Sequence, residues 1–188
     1  MNYRRPTGED FDNMVQLQNK YLKSALSIEE QANGFLSVAF TADQFRAMDQ
    51  DLCIAVCVSD QYQLVGYLCS STPQFNQQFP LLAAMINRFP HIQYHGKPLS
   101  AYRSFLTGPG CIDKSFRGQG IYLNLYQKLF EMLPPGYEVA LTMIANDNPR
   151  SLTGSKNSGR EVLGQFEFNE KLFWILARPV KSNLRISI

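Results

Sequence analysis

Residues 52–58 read Leu-Cys-Ile-Ala-Val-Cys-Val, seven apolar side chains with no polar one among them. Short, β-rich and apolar throughout, the run predicts a strand. Successive side chains of a strand point to opposite faces, so a strand apolar at every position must be covered on both. That commits the chain to a layered fold, with other elements packed above and below a sheet. Asp60-Gln61 reads as a turn, and Leu64 to Cys69 as the returning strand of a hairpin.

The remaining segments supply the layers. Tyr3 to Pro6 reads as a short first strand, and Thr7-Gly8-Glu9-Asp10 as a capping box with Asp in the third place. Phe11, Met14, Val15, Tyr21, Leu22 and Ala25 then predict a helix over roughly residues 9–25. A second capping pattern, Thr41-Ala42-Asp43-Gln44, opens a short helix with Phe45 and Met48 on its apolar side. Residues 73–98, with Pro73, Pro80, Pro90 and Pro98, read as an insertion with one helix from Leu81 to Phe89. It either borders a substrate site or decorates the surface. Ala101 to Asp113 is extended, interrupted by Gly108-Pro109-Gly110.

After Gly118 a helix is expected to about Leu133, its apolar arc formed by Ile121, Leu125, Leu129 and Met132 beside Tyr122, Tyr126, Phe130 and Leu133. Pro134-Pro135-Gly136 ends it. Glu138 to Ala145 is a strand, Asn148 to Ser158 a short polar helix, and Val162 to Phe168 with Leu172 to Val180 a closing hairpin. The sum is a mixed α/β layered domain. With 188 residues the chain suits one domain, 1–188, around one core.

The net charge of +2 gives no strong reason to expect nucleic acid or an anionic membrane as partner, although Lys114, Arg117 and Lys128 suggest a local positive field. Cys53, Cys57, Cys69 and Cys111 form no C-x-x-C pair, and three of them lie in apolar runs, which suits buried, reduced thiols. No signal peptide is legible behind Arg4-Arg5, and no run has transmembrane length, so a cytoplasmic location is expected.

The segment with chemistry is Gly110-Cys111-Ile112-Asp113-Lys114-Ser115-Phe116-Arg117-Gly118-Gln119-Gly120-Ile121-Tyr122. A strand ends, a glycine-containing turn follows and a long helix begins. Glycine lets backbone approach a ligand closely. The first N–H groups of a helix lack internal partners and carry partial positive charge. Together they form a pyrophosphate cradle, with Arg117 as an adjacent cation. A Rossmann fingerprint fits less well, since Leu123 stands three residues after Gly120, and the Walker lysine pattern is absent.

In this wider context the segment resembles the GNAT superfamily of N-acetyltransferases, whose motif V-x-x-x-x-R-G-x-G-I is met here by Ile112, Arg117, Gly118, Gly120 and Ile121. Gly34-Phe35-Leu36 resembles the family's second-helix region, Val65-Gly66-Tyr67 its third strand, and Asn148-Pro149-Arg150-Ser151 with Gly159 its N-x-x-S…G segment. The resemblance implies the GNAT fold. That is a mixed, mostly antiparallel sheet of six to seven strands with a central splay, flanked by about four helices.

It further implies acetyl transfer from acetyl-CoA to a primary amine of a small molecule or peptide, by direct attack in a ternary complex. The pantetheine arm would lie in the splayed gap near Cys111 and Ile112. The pyrophosphate would rest on the amides of Arg117, Gly118, Gln119, Gly120, Ile121 and Tyr122, with Asn148 and Ser151 on the far side. Such proteins often dimerise, so a homodimer is compatible with the resemblance.

Two positions depart from the family pattern. Ser155 stands where many relatives carry the Tyr or His proposed to protonate the CoA thiolate, and the usual Gly-Phe is Gly159-Arg160. Serine is a poor general acid, but its hydroxyl can hydrogen-bond the sulfur. Ser155 therefore also admits a catalytically weak acyl-CoA-binding module as a second reading. A backbone amide near Cys111 is the oxyanion candidate. For the base, Asp113, Glu138, Tyr102, Glu29 and Glu30 are candidates, and nothing in the sequence marks one of them. No metal is expected, because Pro90 and Gly96 break any helix that would pair His91 with His95. Phe75, Phe79 and Tyr94 are candidates for an acceptor pocket, and Phe173 and Trp174 for core or interface.

Overall fold

In the computed structural model, which describes residues 1–180, strand β2 (Cys53–Val58) is buried at all six positions. Ile54, Val56 and Val58 face one side of the sheet, where helices α1 (Asp10–Asn19) and α3 (Ala42–Asp51) pack with Phe11, Met14, Phe45 and Met48. Cys53, Ala55 and Cys57 face the other side, where Ile121, Leu125 and Leu129 of helix α6 (Ile121–Met132) cover them. The fully apolar run is thus sandwiched, and all four cysteines are free and buried. Each completely buried leucine of α6 contributes roughly 1.5–3 kcal/mol relative to exposure.

Seven strands form one sheet in the order β1-β2-β3-β6-β7-β9-β8. They are β1 (Asn2–Arg4), β2, β3 (Leu64–Ser71), β6 (Ser104–Ile112), β7 (Val139–Ala145), β8 (Glu161–Phe168) and β9 (Lys171–Pro179). A separate two-stranded hairpin joins β4 (Gln93–Tyr94) to β5 (Lys97–Pro98). Every pairing in the large sheet is antiparallel except β6 with β7, which run parallel at Ser104–Leu106 against Val139–Leu141. Beyond Leu106 the two strands part. Thr107 Oγ1 donates to the Leu141 carbonyl and Thr142 Oγ1 to the Thr107 carbonyl at 2.9 Å, so two side chains replace the last backbone rungs at the fork.

Of the seven α-helices, α1, α3, α6 and α7 (Pro149–Asn157) span nine residues or more. The short ones are α2 (Ile28–Gln31), α4 (Pro73–Asn76) and α5 (Pro80–Ile86). Segment 73–98 folds α4, α5 and the β4–β5 hairpin. Met85, Phe89 and Tyr94 pack there on Leu141, Phe173 and Ile175 of the sheet. Among the described residues no helix is long and apolar enough to cross a membrane.

Two helix ends differ from the sequence expectation. The first helix stops at Asn19 because the backbone of Tyr21 and Lys23 turns to pair with Leu36, which removes the hydrogen bonds a longer helix would use. Helix α5 stops at Ile86, since Pro90 has no N–H to give the Ile86 carbonyl; Phe89–His91 forms a 3-10 turn instead. The Thr41 capping box forms with Gln44 at both ends. At Thr7 only half of one forms: Asp10 accepts the Thr7 N–H at 2.6 Å, and the Thr7 hydroxyl donates to the same carboxylate.

Candidate active site

The fork between β6 and β7 opens into a cavity of about 640 Å³. From Gly108 to Ile112 β6 keeps only β3 as a neighbour. The Asp113 N–H reaches the Val65 carbonyl at 2.9 Å, so by strand alternation Cys111 also turns toward β3, and the amides of Gly110 and Ile112 turn into the gap. Backbone on that edge needs a partner, and the described residues offer none in the gap.

At the outer end of the gap lies the start of α6. Gly120 is the N-cap, at φ +74°, and Gly118 sits at φ +79°. No atom lies within 4 Å of where a Cβ would stand on either, so the turn is open as well as left-handed. No side chain among the described residues caps the amides from Gly118 to Leu123. The unpaired N–H groups, the aligned helix dipole and the space beside them form an anion site.

Arg117 lines the cavity in a different role from a free cation. Its Nε donates to the Ile112 carbonyl at 3.0 Å, one terminal nitrogen donates to the Asn33 carbonyl at 2.8 Å, and the guanidinium lies 4.8 Å over the Tyr21 ring. The side chain bolts the turn to the end of β6 while its charge stays next to the amides. A second cation at the mouth is Arg150, whose guanidinium donates to Asn33 Oδ1 at 3.1 Å.

Asn148 is 4% exposed and holds the opposite wall. Its Oδ1 accepts the Ser151 N–H and caps α7, while its Nδ2 donates to the Phe35 carbonyl at 3.0 Å. The three-residue interval in N-x-x-S is therefore the interval of a helix cap. The structure brings Cys111, Ile112, Arg117, Gly118, Tyr122, Asn148, Ser151 and Ser155 together as lining of one cavity. Gln119 points instead toward the Ser115 carbonyl, and Ile121 is buried in the core beside Gly66.

Asp113 is not brought to this cavity. Its carboxylate accepts the Ser115 N–H at 3.0 Å and faces Lys20 at 3.7 Å, beside a neighbouring surface depression. Glu138 is held by the Arg103 N–H, Glu30 by its capping box with Ser27, and the Tyr102 hydroxyl by the Tyr94 carbonyl. Phe75 and Phe79 stand behind Phe40, which does line the cavity, and Tyr94 packs near Glu161 at the far hairpin. Phe173 lines the cavity as well. Among the described residues no cluster of three metal-ligating side chains occurs; His95 pairs with Glu161 at 3.1 Å in the β4–β5 turn.

The residue that sequence reasoning underrated is Arg160, 4% exposed at the fork. It donates to Thr107 Oγ1 at 2.8 Å, to the Tyr126 hydroxyl at 2.6 Å and to the Tyr122 hydroxyl at 3.1 Å. Its Nε has no partner. No carboxylate pairs with it among the described residues, so a buried charge is held by neutral oxygens alone. The legible signal was an arginine standing where the related pattern has phenylalanine. Burial pushes the Tyr126 phenol up despite that cation, and burial also raises the Cys111 thiol to about 12.

No protein-family model and no curated protein matches the sequence. Solved structures do match its shape. An N-acetyltransferase from Staphylococcus aureus superposes with a TM-score of 0.61 over 96% of this chain and 98% of that one, at 16% identity. A ribosomal-protein-alanine N-acetyltransferase from Brucella melitensis gives 0.60 over 96% and 100%, at 14% identity. A GNAT superfamily phosphinothricin acetyltransferase from Sinorhizobium meliloti, in complex with acetyl-CoA, gives 0.58 over 95% and 87%, at 13%. The seven-stranded sheet with its single parallel pair, the fork and the open helix start together have the fold of the GNAT-superfamily acetyltransferases.

Proposed function

We propose that this chain transfers acetyl from acetyl-CoA to a primary amine of a small molecule or peptide, by direct attack in a ternary complex. The observation that carries the reading is the open backbone edge of β6, which leads straight to the uncapped amides at the start of α6. The fit to the donor rests on the same geometry. A linear amide-bearing arm satisfies the free edge at Gly110 and Ile112, and two linked phosphates satisfy the amides from Gly118 to Tyr122. Bound acetyl-CoA supplies an activated acyl carbonyl with a thiolate leaving group.

The chain's own groups do the rest. The gap-facing amide of Gly110, on the side of Ile112 nearer Leu106, donates to the oxygen that gains charge during attack. Ser155 and Tyr122 are two hydroxyl-bearing residues that line the cavity. Tyr122 accepts an N–H from Arg160, which leaves its own proton to donate toward the departing sulfur. Cys111 is an unsuitable nucleophile, because a thiol held near 12 is protonated at neutral pH; this supports direct transfer over an acetyl-cysteine route.

Titration calorimetry with acetyl-CoA, followed by thiol release with a panel of amines, tests the proposal. Binding with amine-dependent thiol release supports it. Binding without release on any amine points to an acyl-CoA-binding module, and absence of binding removes both readings.

A further inference from the structure

The cavity has two ends, and strand register separates them. Ile112, beside the α6 amides, pairs with Gly66, whereas Leu106 pairs with Ser71. Five residues of β3, from Gly66 to Ser71, put these ends roughly 17 Å apart. At the Leu106 end the lining is apolar: Phe40, Met48, Leu82 and Leu106. Buried Gln18 fixes Phe40 by pairing with both its N–H and its carbonyl at 2.9 Å. Two polar side chains interrupt that surface: Thr107, whose hydroxyl is already bonded to the Leu141 carbonyl and Arg160, and Asn76. Asn76, 2% exposed, spends its Nδ2 on Ser71 Oγ and the Thr72 carbonyl, each at 2.7 Å. Its Oδ1 accepts no hydrogen bond among the described residues, and Asn76 lines the cavity.

The charged and titratable side chains lining the whole cavity are Arg117, Arg150, Tyr21, Tyr122 and Cys111. No carboxylate or imidazole is among them, and residues 181–188 contain neither Asp, Glu nor His. Among the described residues the cavity therefore has no carboxylate or imidazole to take a proton from a substrate. Among the described residues it also has no anion to hold an ammonium, while two arginines and a helix start make its mouth positive. A lysine-like amine is protonated all but roughly one part in 10³ at pH 7, and this site offers its cation neither a partner nor a base.

Resting on the acetyltransferase reading, we infer that the acceptor is a weakly basic, apolar amine, neutral when it enters, whose carrier packs between Phe40 and Leu82 and whose N–H donates to Asn76 Oδ1. An aromatic amine is the simplest member of the class. Its nitrogen lone pair forms the bond to the acetyl carbonyl carbon, the carbon–sulfur bond breaks, and the proton lost by nitrogen ends on sulfur. That transfer needs no base among the side chains.

Calorimetry with acetyl-CoA tests the underlying reading separately: without binding, that reading fails first. With binding established, kcat/KM is measured for an aromatic amine, a peptide α-amine, a lysine-containing peptide blocked at its N-terminus, and spermidine. The aromatic amine is expected to exceed lysine and spermidine by about 100-fold or more at pH 7. Its profile is expected to stay flat from pH 6.5 to 9, because the lining holds no carboxylate or imidazole among the described residues. Preference for spermidine, lysine or the α-amine overturns the inference, as does a slope set by an enzyme group near neutrality. Asn76→Ala should raise the amine KM about tenfold and leave acetyl-CoA affinity unchanged. An unchanged KM removes Asn76 from the site. Should that variant unfold, Leu82→Glu is the second arm: a carboxylate at the same end should improve spermidine kcat/KM about fivefold, and no change would argue that the amine binds elsewhere.

Discussion

Replacing Gly120 by Val tests the anion site where the structure makes it most explicit. Gly120 holds φ +74°, and a Cβ there meets nothing within 4 Å, so the folding penalty is conformational rather than steric. A left-handed non-glycine residue costs about 1–2 kcal/mol, and more for a β-branched one. For a chain of 188 residues that is a fall in Tm of roughly 2–8 °C, small enough to keep the protein folded. Binding should suffer far more. The new side chain projects into the space beside the amides, and hydrogen bonds to a charged group are worth about 1.5–3 kcal/mol each. Losing two of them weakens acetyl-CoA by a factor of roughly 10² to 10⁴. Calorimetry at a temperature well below the variant's Tm measures this directly. An affinity within about threefold of the parent, in a folded variant, would refute the assignment of diphosphate to the start of α6.

Three further outcomes follow from the same geometry. Cys111→Ser should retain at least about a third of kcat, and the parent thiol should resist iodoacetamide at pH 8, because thiolate forms only as the pH approaches 12; labelling by mass spectrometry and thiol-release kinetics check both. Arg160→Ala should cost about 2–4 kcal/mol of stability, read by urea unfolding, since it empties a buried site and removes the N–H groups that the Tyr126 and Thr107 oxygens accept; a loss below about 0.5 kcal/mol would show that neutral oxygens gain little from that cation. Asp113→Asn should leave kcat/KM within about threefold, because the carboxylate serves a turn outside the cavity; a hundredfold loss would return it to the role of base.

The parts of this molecule that could be read in advance are those with a local physical cause. Seven consecutive apolar residues forced a sandwiched strand, and the proline pair after Leu133 forced the end of α6, where Leu133 itself takes the extended ψ of 137°. The glycines at 118 and 120 announced a left-handed turn without side chains. What stayed hidden depends on partners distant in sequence. Asn33, which gathers Arg117 and Arg150, gives no local sign of that role. Nor does a lone Asp113 reveal whether it faces a cavity or caps a turn, since both need the same residue.

Arg160 shows how such long-range placement alters chemistry. The fork in the sheet leaves Thr107 and Leu141 bound through hydroxyls rather than backbone rungs, and one arginine from the start of β8 ties that weak point to Tyr122 and Tyr126 of α6. In a related pattern phenylalanine would fill the volume and donate nothing. Here the donor occupies an acceptor position on the Tyr122 oxygen, so that the Tyr122 proton is not spent on the guanidinium. Under the proposed acetyl transfer, a hydroxyl positioned this way would stand in for the serine at position 155, whose own proton is held too tightly for acid catalysis. If so, Tyr122→Phe should lower kcat by about tenfold with acetyl-CoA affinity retained, whereas Ser155→Ala should lower it by less than about threefold. The reverse ranking, measured on folded variants at saturating acetyl-CoA, would return the proton to Ser155 and reduce Arg160 to a fastener of the fork.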